Sequence, residues 1–391
     1  MTYDNRIISF LNAHEPDMFA LLEKMVLIQS GSHNKEGIDR MARLIQSIFQ
    51  SNTVSCQTME QTKFGNHLMV RSLCEKPFDK QILLVGHMDT VFPKNTDFNW
   101  YRENSTHCHG PGVIDMKGGL VVGIFALKAM DSLGLLKENP ITFIFNSDEE
   151  IGSPSSGDLI KSEAEKSACA FVLECGGLDG EVVTGRKGNL SVKLDVYGKS
   201  GHAAFTGKDK ASAILELAYK IIDLESLNNN KEGITVNVGR IEGGVGPNTV
   251  PEHAFARIDF RFVAQKDDKF LKESISKITA GQKIPHTRAD FEIISDRPPM
   301  EQIHANRKLF QTVKSVAKRL GIPIKEEFRS GVSDANIIAE KGIPVLDGLG
   351  PIGARDHSKD EYMIRGSLLQ RSILLSCSII ELILFNDQQL F

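Results

Sequence analysis

Short apolar runs that alternate with helical segments constrain the fold of this chain most strongly. The runs HLMVRSL, QILLV, ITFIF and ACAFVL lie between residues 67 and 173, and a helix is predicted over 118–131. Strands that are apolar nearly throughout are typical of sheets buried on both faces, which are usually parallel. Alternation of such strands with helices predicts an α/β fold with a mainly parallel sheet covered by helices.

A different pattern between residues 186 and 297 predicts a second domain. The segments NLSVKLDVYG, ITVNVGRIEGG, HAFARIDFRF and RADFEIISD alternate between polar and apolar residues, and helices are predicted near 209–225 and 267–280. The resulting β-α-β-β-α-β order is ferredoxin-like. We therefore expect residues 186–297 to form a compact α+β domain inserted into a first domain made of 1–185 and 298–391.

Composition argues against two classes of partner. The chain has 391 residues, of which 41% are hydrophobic and 25% charged, as in ordinary globular proteins. Its net charge of −4 and its lack of basic runs make nucleic acid an unexpected partner. The C-terminal run ILLSCSIIELILF is interrupted by Glu381 and is too short to span a bilayer, so we expect a buried helix and no membrane partner.

The ends of the chain and its cysteines predict a cytoplasmic protein. Charged residues interrupt the N-terminal segment too early for the apolar core of a secretion signal. The six cysteines show no CxxC spacing, which is typical of reduced thiols.

A histidine and an aspartate end the strand QILLV, in the sequence Gly86-His87-Met88-Asp89. Side chains of a strand alternate between its two faces, so His87 and Asp89 point to the same side. A carboxylate there can accept the spare ring N–H of the histidine and turn its other nitrogen towards a metal. A histidine whose hydrogen bonds are satisfied locally explains this pair equally well.

Other possible metal ligands follow further apolar runs. Glu149 and Glu150 in NSDEEIGS follow ITFIF, Glu174 follows AFVL, and ligands of open α/β sheets bind at such carboxyl ends of strands. Each acidic residue alone is also explained by a solvated turn. Together, oxygen and nitrogen donors suit zinc, with cobalt or manganese as alternatives. Two divalent cations with three carboxylates leave a charge of +1, which a bridging hydroxide would cancel, so two metals is the balanced count. Asp115 in the glycine-rich segment GPGVIDMKGG and His357 in ARDHSKDEY are further candidates. The proposed ligands are therefore His87, Asp115, Glu150, Glu174 and His357.

The order of these motifs resembles a known family. GHMDTVFP, GPGVIDMKGG, NSDEEIGS, LECGG, GKSGHAA, GPNTVPE and DHSKDEY resemble the two-zinc exopeptidases that include aminoacylase, succinyl-diaminopimelate desuccinylase and glutamate carboxypeptidase. The likeness covers nearly the whole chain and is strongest to bacterial glutamate carboxypeptidase. It implies a discontinuous zinc-peptidase domain with an inserted lid and dimerisation domain.

The resemblance also implies roles for individual residues. Asp115 would bridge two zinc ions, with His87 and Glu174 on one ion and Glu150 and His357 on the other. Glu149 would act as general base, taking a proton from water and then protonating the leaving nitrogen. Asp89 would orient the histidine, the peptide bond after Asp115 would be cis, and nearby cations would keep Asp148 and its neighbours ionised.

Four residues are candidates for contact with the substrate. The resemblance implies that His202 in GKSGHAA stabilises charge on the carbonyl oxygen from a partner subunit, which predicts a homodimer. It also implies that Asn248 and Arg261 bind a terminal carboxylate, which the planar guanidinium of arginine suits. Arg297 is a further candidate. An ordinary loop position for His202, a turn position for Asn248, a surface strand position for Arg261 and pairing of Arg297 with local acids remain alternatives.

The favoured function is a metallocarboxypeptidase that releases a C-terminal amino acid, glutamate being preferred, from a small peptide or N-acyl compound. An N-acyl-amino-acid deacylase acting on acetyl or succinyl groups would use the same metal chemistry and differ only in its pocket. A non-catalytic binding protein on this scaffold would lack a ligand or the base, and here each position is filled. A phosphoesterase would need more cationic groups than these motifs offer.

Overall fold

The protein is described here by a computed structural model of residues 2–74, 79–207, 210–229 and 231–385. The chain divides into two compact units. Unit 1 comprises Met1–Gly185, Gln302–Phe328 and Ser333–Phe391, and unit 2 comprises Arg186–Glu301 and Arg329–Val332.

Helices and strands alternate along most of the described chain. The helices are α1 Tyr3–Ala13, α2 Glu15–Val26, α3 Lys35–Ile48, α4 Lys117–Ser132, α5 Gly157–Glu165, α6 Ala213–Glu225, α7 Gln265–Ala280, α8 His304–Leu320, α9 Asp334–Ala339 and α10 Arg365–Phe385. The strands are β1 Val54–Met59, β2 His67–Ser72, β3 Gln81–His87, β4 Arg102–Glu103, β5 His107–His109, β6 Ile141–Asn146, β7 Ser167–Val172, β8 Glu181–Arg186, β9 Gly188–Tyr197, β10 Gly201–His202, β11 Thr235–Gly243, β12 Thr249–Val250, β13 His253–Phe262, β14 Arg288–Arg297, β15 Lys325–Arg329, β16 Val345–Leu346, β17 Gly353–Ala354 and β18 Tyr362–Ile364. Short 3-10 turns cover Leu135–Lys137 and Glu149–Ile151.

The central sheet of unit 1 has the order β1-β2-β6-β3-β7-β16. Strands β6, β3, β7 and β16 run parallel to one another, whereas β1 and β2 add an antiparallel edge. Every residue of β3, β6 and β7 is buried. Ile82 and Leu84 join the large apolar cluster, and the alternate residues Leu83 and Val85 are also fully buried. Both faces of the sheet are therefore covered, and the predicted α/β class is confirmed.

Unit 2 contains a four-stranded antiparallel sheet with the order β11-β13-β9-β14. Helices α6 and α7 contact this sheet and each other. The inward residues of the strands, such as Leu190, Val192 and Leu194, alternate with more exposed ones and form a separate apolar cluster. This is the ferredoxin-like arrangement that the alternating pattern predicts. Helix α6 begins at Ala213, a few residues later than expected, where Ser212 accepts a hydrogen bond from Leu215 N.

The C-terminal helix α10 is longer than the apolar run that predicts it. It spans 21 residues because it begins at Arg365, eight residues before that run. By length and composition alone, its segment Arg365–Leu384 is long and apolar enough to cross a membrane. However, 67% of the most apolar part of this segment is buried inside the protein. It packs against α1, α4 and α8, so its apolar side chains belong to the core of unit 1.

Candidate metal centre

Parallel strands bring three parts of the candidate site to one edge of the central sheet. Strand β3 ends at His87, and its neighbour β6 ends at Asn146, directly opposite His87 in the parallel register. The turn with Glu149 and Glu150 follows β6, and Glu174 follows β7 on the other side of β3. The carboxyl ends of parallel strands form the usual ligand-binding edge of an open α/β sheet.

Two loops add the remaining predicted ligands. Asp115 lies just before α4, and its peptide bond to Met116 is cis, as the resemblance implied. His357 lies in the loop between β17 and β18, where its own backbone is left-handed with φ of 59°. Such a conformation is uncommon for a residue with a side chain and often occurs at functional sites.

The five predicted ligands meet around Asp115. His87 Nε2 lies 3.1 Å from Asp115 Oδ1 and 3.5 Å from Glu174 Oε1. His357 Nε2 lies 3.1 Å from Asp115 Oδ2 and 3.2 Å from Glu150 Oε2. Each oxygen of Asp115 thus faces a different histidine, and each histidine faces a further glutamate. We call these five residues the ligand cluster.

Burial and like charges shift the pKa values of the ligand cluster strongly when no cation is bound. Burial and the nearby carboxylate of Asp115 raise the pKa of Glu174 to about 7. Hydrogen bonds to Asp115 and Glu150 raise the pKa of His357 to about 11. Burial lowers the pKa of His87, but its hydrogen bonds to Asp115, Asp89 and Glu174 outweigh burial and raise it well above its usual value. Protons thus compensate the clustered negative charge in the metal-free protein.

Asp89 connects the histidine to the glutamate turn. It is fully buried, and its carboxylate accepts hydrogen bonds from Ser32 Oγ at 2.7 Å, Glu149 N at 3.1 Å and Glu150 N at 3.2 Å. His87 Nδ1 donates to the carbonyl oxygen of Asp89 at 3.0 Å and lies 3.4 Å from its Oδ1. The Nδ1 proton is therefore held on the side away from the cluster, which leaves Nε2 as the ligand atom.

Glu149 and Glu150 diverge although they are adjacent in the chain. A carboxylate oxygen of Glu149 lies within 4.8 Å of ligand atoms of His87 and Glu174, whereas Glu150 reaches His357. The two glutamates therefore approach the cluster from different directions, as separate roles for base and ligand require.

Asp148 is held in place by hydrogen bonds from the turn that follows it. This residue is fully buried and accepts hydrogen bonds from Ser155 N, Ser155 Oγ and Ser156 Oγ, each at 2.6 Å. Donors of the following turn therefore satisfy both of its carboxylate oxygens, and the effect of bound cations on Asp148 stays a prediction. Asp148 fixes the position of the turn that carries the two glutamates.

Glu361 supports the loop of Asp115 and was missed by the sequence analysis. Its fully buried carboxylate accepts hydrogen bonds from Gly112 N at 2.9 Å, Ile114 N at 2.8 Å and Asp115 N at 3.1 Å. Burial raises its pKa to about 8. Glu361 stands in the motif DHSKDEY, four residues after His357. An acidic residue this close to a predicted ligand is the sequence feature that could have pointed to it.

The ligand cluster fits divalent cations. Glu150 Oε1 is buried and accepts no hydrogen bond from any residue in the described ranges, so an oxygen with negative charge has no partner. Ligand atoms of His87, Asp115 and Glu150 all lie within 4.8 Å of one another. Clustered carboxylates with two imidazoles are the donor set expected for zinc and related metals.

The predicted substrate-binding residues all lie in unit 2. His202 is exposed and pairs with Thr249 between β10 and β12, while Asn248 O accepts a hydrogen bond from Ala203 N at 2.9 Å. These two residues therefore lie side by side at the antiparallel pair of β10 and β12. Arg261 Nε lies 2.9 Å from Asp259 Oδ1 and is partly exposed, whereas Arg297 is buried with 4% exposure.

Comparison with known proteins identifies the family. A family model described as Peptidase family M20/M25/M40 matches residues 83–381. The chain belongs to this family. The resemblance found in the motifs is confirmed, and the protein is a member of a family of peptide-bond hydrolases.

Relatives within the M20 family include carboxypeptidases and desuccinylases. Carboxypeptidase G2 of Pseudomonas sp. (strain RS-16) is 26% identical over 382 residues, which cover 96% of this chain and 92% of the relative. Succinyl-diaminopimelate desuccinylase of Pseudoalteromonas atlantica is 30% identical over 308 residues, which cover 73% of this chain and 79% of the relative. Relatives of similar identity to this chain therefore differ in the substrates that their names give.

A solved structure shows the same fold. A peptidase of the M20 family from Bacillus subtilis, described as binding a dinuclear metal centre, has a TM-score of 0.70 at 14% identity. The match covers 95% of this chain and 99% of the Bacillus protein. At this identity the likeness establishes the fold of this M20 peptidase and leaves its substrate open.

Proposed function

We propose that this M20 peptidase is a two-zinc carboxypeptidase that hydrolyses an amide bond and releases a C-terminal amino acid, with glutamate preferred, from a peptide or an N-acyl compound. The observation that carries the proposal is the position of Asp115, whose two oxygens face His87 and His357 separately. The extent of the similarity to carboxypeptidase G2 supports the choice of substrate class.

The ligand cluster would hold two cations. His87 and Glu174 would bind one, Glu150 and His357 the other, and Asp115 both. Bound cations of this kind polarise a carbonyl group and make water more acidic. Cobalt or manganese would suit the same donors.

The protein's own side chains carry the proton transfers. Glu149 would take a proton from water and return it to the leaving nitrogen, which a carboxylate beside the ligand cluster can do. Asp89 keeps Glu149 in place by accepting its backbone N–H. His202 would donate a hydrogen bond to the carbonyl oxygen as charge develops there. Asn248, Arg261 and Arg297 remain the proposed contacts to the terminal carboxylate, of which the partly exposed Arg261 suits the task best.

The test is hydrolysis of a substrate panel by zinc-loaded protein. We expect glutamate to be released from dipeptides, N-acyl glutamates and p-aminobenzoyl-glutamate, and Glu149→Gln to lower kcat by about 10²–10⁴-fold while two zinc ions still bind. Glu23→Gln, an exposed change on α2, is the matched control and should leave kcat unchanged. Full zinc binding with no release of any amino acid would refute the proposed substrate class.

An N-acyl-amino-acid deacylase is the second candidate, favoured by the 30% identity to a succinyl-diaminopimelate desuccinylase. The same panel separates the two functions. Preferred cleavage of N-acetyl or N-succinyl amino acids, with little selectivity for glutamate, would replace the carboxypeptidase proposal.

We also propose a homodimer formed through unit 2. Helix α6 packs one face against the sheet, yet Ile214, Tyr219 and Ile222 are 42%, 43% and 65% exposed on its surface. Neighbouring β11 is an edge strand of the four-stranded sheet. Exposed apolar side chains beside an open strand edge are typical of association surfaces.

Sedimentation and complementation test the dimer. Ile222→Asp should produce monomers, whereas Phe270→Asp, at an apolar position on α7 that is 48% exposed, should not. If His202 acts from the partner subunit, mixing inactive Glu149→Gln and His202→Asn proteins should restore part of the activity. Monomeric wild-type protein with full activity would exclude this arrangement. The cytoplasmic location stays a prediction from the sequence.

A further inference from the structure

Two histidines of β5 lie on one face of a small sheet in unit 1, outside the ligand cluster. This sheet has the order β17-β18-β5-β4. His107 and His109 are separated by one residue, so they point to the same side of β5, whereas Cys108 between them is fully buried on the other side. Both histidines are half-buried. The proposed hydrolysis uses neither of them.

The two imidazole rings lie close together beside a tyrosine of the next strand. The ring centres of His107 and His109 are 6.1 Å apart. Tyr362 stands opposite His109 on β18, and its ring centre lies 5.1 Å from that of His107, in an edge-on contact, and 6.0 Å from that of His109. A metal–nitrogen bond of about 2.0–2.1 Å places the centres of two imidazoles that share an ion roughly 4.5–6 Å apart. A small rotation of one ring therefore brings both to one ion.

The tautomer of His107 is set by neighbouring polar groups. Asn104 Oδ1 accepts hydrogen bonds from Thr106 N at 2.8 Å, from Thr106 Oγ1 at 2.9 Å and from His107 N at 2.8 Å. The single proton of the Thr106 hydroxyl is therefore used, and its oxygen accepts from His107 Nδ1 at 2.8 Å. The lone pair of His107 thus lies on Nε2. A hydrogen bond from the second ring nitrogen to such an acceptor is the usual arrangement of a metal-binding histidine.

The arginines near the pair interact with other groups. Arg102 stands opposite His109 on β4, but its guanidinium lies 4.4 Å from the ring centre of Trp100. Arg365, which follows β18, lies 3.4 Å from Glu15 and 3.7 Å from Glu103. These partners stabilise the two positive charges and weaken their repulsion of a cation bound by the histidines.

We propose that His107 and His109 form a further transition-metal site, separate from the ligand cluster and strongest for Cu²⁺. Two imidazoles with water in the remaining positions suit the tetragonal geometry of Cu²⁺, and nitrogen donors bind Cu²⁺ more tightly than the other divalent first-row metals. Zinc binds the pair more weakly by the same order. The inference does not depend on the proposed hydrolysis.

The experiment adds one equivalent of Cu²⁺ per chain to zinc-loaded protein. Electron paramagnetic resonance identifies the nitrogen ligands of the copper, metal analysis after gel filtration shows whether zinc is retained, and competition with glycine measures the affinity. We expect one Cu²⁺ per chain, bound by two imidazole nitrogens, with no loss of zinc. His107→Gln and His109→Gln should each lower the affinity for Cu²⁺ by at least about 100-fold, the upper end of the loss that removal of an orienting group causes.

Two further variants make the result specific to the pair. Thr106→Val, at an exposed position, removes the acceptor of His107 Nδ1 and leaves both ligands in place. It should weaken binding of Cu²⁺ by about 10–100-fold with the melting temperature close to that of wild type. His304→Gln, an exposed histidine at the start of α8, is the matched control and should change neither the affinity nor the spectrum.

The outcomes separate this site from the proposed function. Unchanged affinity and unchanged nitrogen ligands in both His107→Gln and His109→Gln would overturn the copper site. Release of zinc by the first equivalent of Cu²⁺ would assign the copper to the ligand cluster and would also overturn it. Amide hydrolysis is a separate readout, because its absence in zinc-loaded protein would refute the proposed function while copper binding at the two histidines stands.

Discussion

Replacing Asp89 with asparagine tests how the site is held together. Oδ1 accepts from Glu149 N, and Oδ2 accepts from Glu150 N and Ser32 Oγ. The new amide group can adopt two orientations. In one its NH₂ faces Glu149 N–H, and in the other it faces Glu150 N–H, so one of these donors loses its acceptor in either case. Asp89 is fully buried, so water cannot replace the lost acceptor.

The expected cost follows from one unsatisfied donor. A buried N–H without an acceptor costs about 1–3 kcal/mol, so we expect Asp89→Asn to lower the free energy of unfolding of the metal-free protein by that amount. The backbone carbonyl that accepts from His87 Nδ1 is kept, but the carboxylate lies 3.4 Å from that nitrogen and holds the backbone of Glu150, and loss of such a supporting group typically weakens metal binding by about 10–100-fold. The activity should fall further, because either the proposed base Glu149 or the proposed ligand Glu150 loses the acceptor of its backbone N–H.

Urea denaturation of the metal-free protein measures the first effect, and competition with a chelator measures the second. Asp17→Asn, an exposed change at the start of α2, is the matched control and should alter neither quantity appreciably. An unfolding free energy within about 0.5 kcal/mol of wild type, the usual range for surface changes, together with unchanged zinc affinity would refute this account of Asp89.

Three further predictions follow from the structure. Burial raises the pKa of Glu174 from 4.5 to about 7, so the stability it contributes to the metal-free protein, present below pH 4.5, should be lost as the pH rises through about 7. Thermal melts should show this decline, and Glu174→Gln should reduce it. Gly31→Ala should destabilise the protein by about 1–3 kcal/mol in urea denaturation because its Cβ would meet Phe92 O, whereas Gly157→Ala, with its nearest contact at 3.9 Å, should not. Glu361→Ala should lower zinc affinity in chelator competition by about 10–100-fold, because the loop of Asp115 loses the acceptor for three N–H groups.

Much of the fold could be read from local patterns. The apolar runs that predict β3, β6 and β7 are fully buried strands, and the alternating segments that predict unit 2 form an antiparallel sheet. The residues at which helices begin were predicted less well than the helices themselves. The start of α10 could not be placed, because the polar residues of its first turns show no apolar pattern.

Local sequence patterns predict only some of the residues of the candidate site. His87, Asp115 and Glu174 stand in distinctive motifs at strand or helix ends, and a family resemblance could assign them roles. Ser32 carries no such signal and Glu361 only that of an acid near His357, since their contacts join Ser32 to Asp89 and Glu361 to Gly112 across long stretches of chain. The partners of Asp148 were likewise hidden, although they lie only seven and eight residues away.

The sequence by itself determined which residue types stand at the ends of which strands, because burial patterns and motifs are local properties of the chain. Only the tertiary structure decided that the two oxygens of Asp115 face different histidines, that Asp89 holds both glutamates, and that Tyr362 packs beside two histidines of β5. The physical reason is that hydrogen bonding and side-chain packing depend on distances of a few ångströms between segments far apart in the chain, and the packing of the sheet and its loops sets those distances.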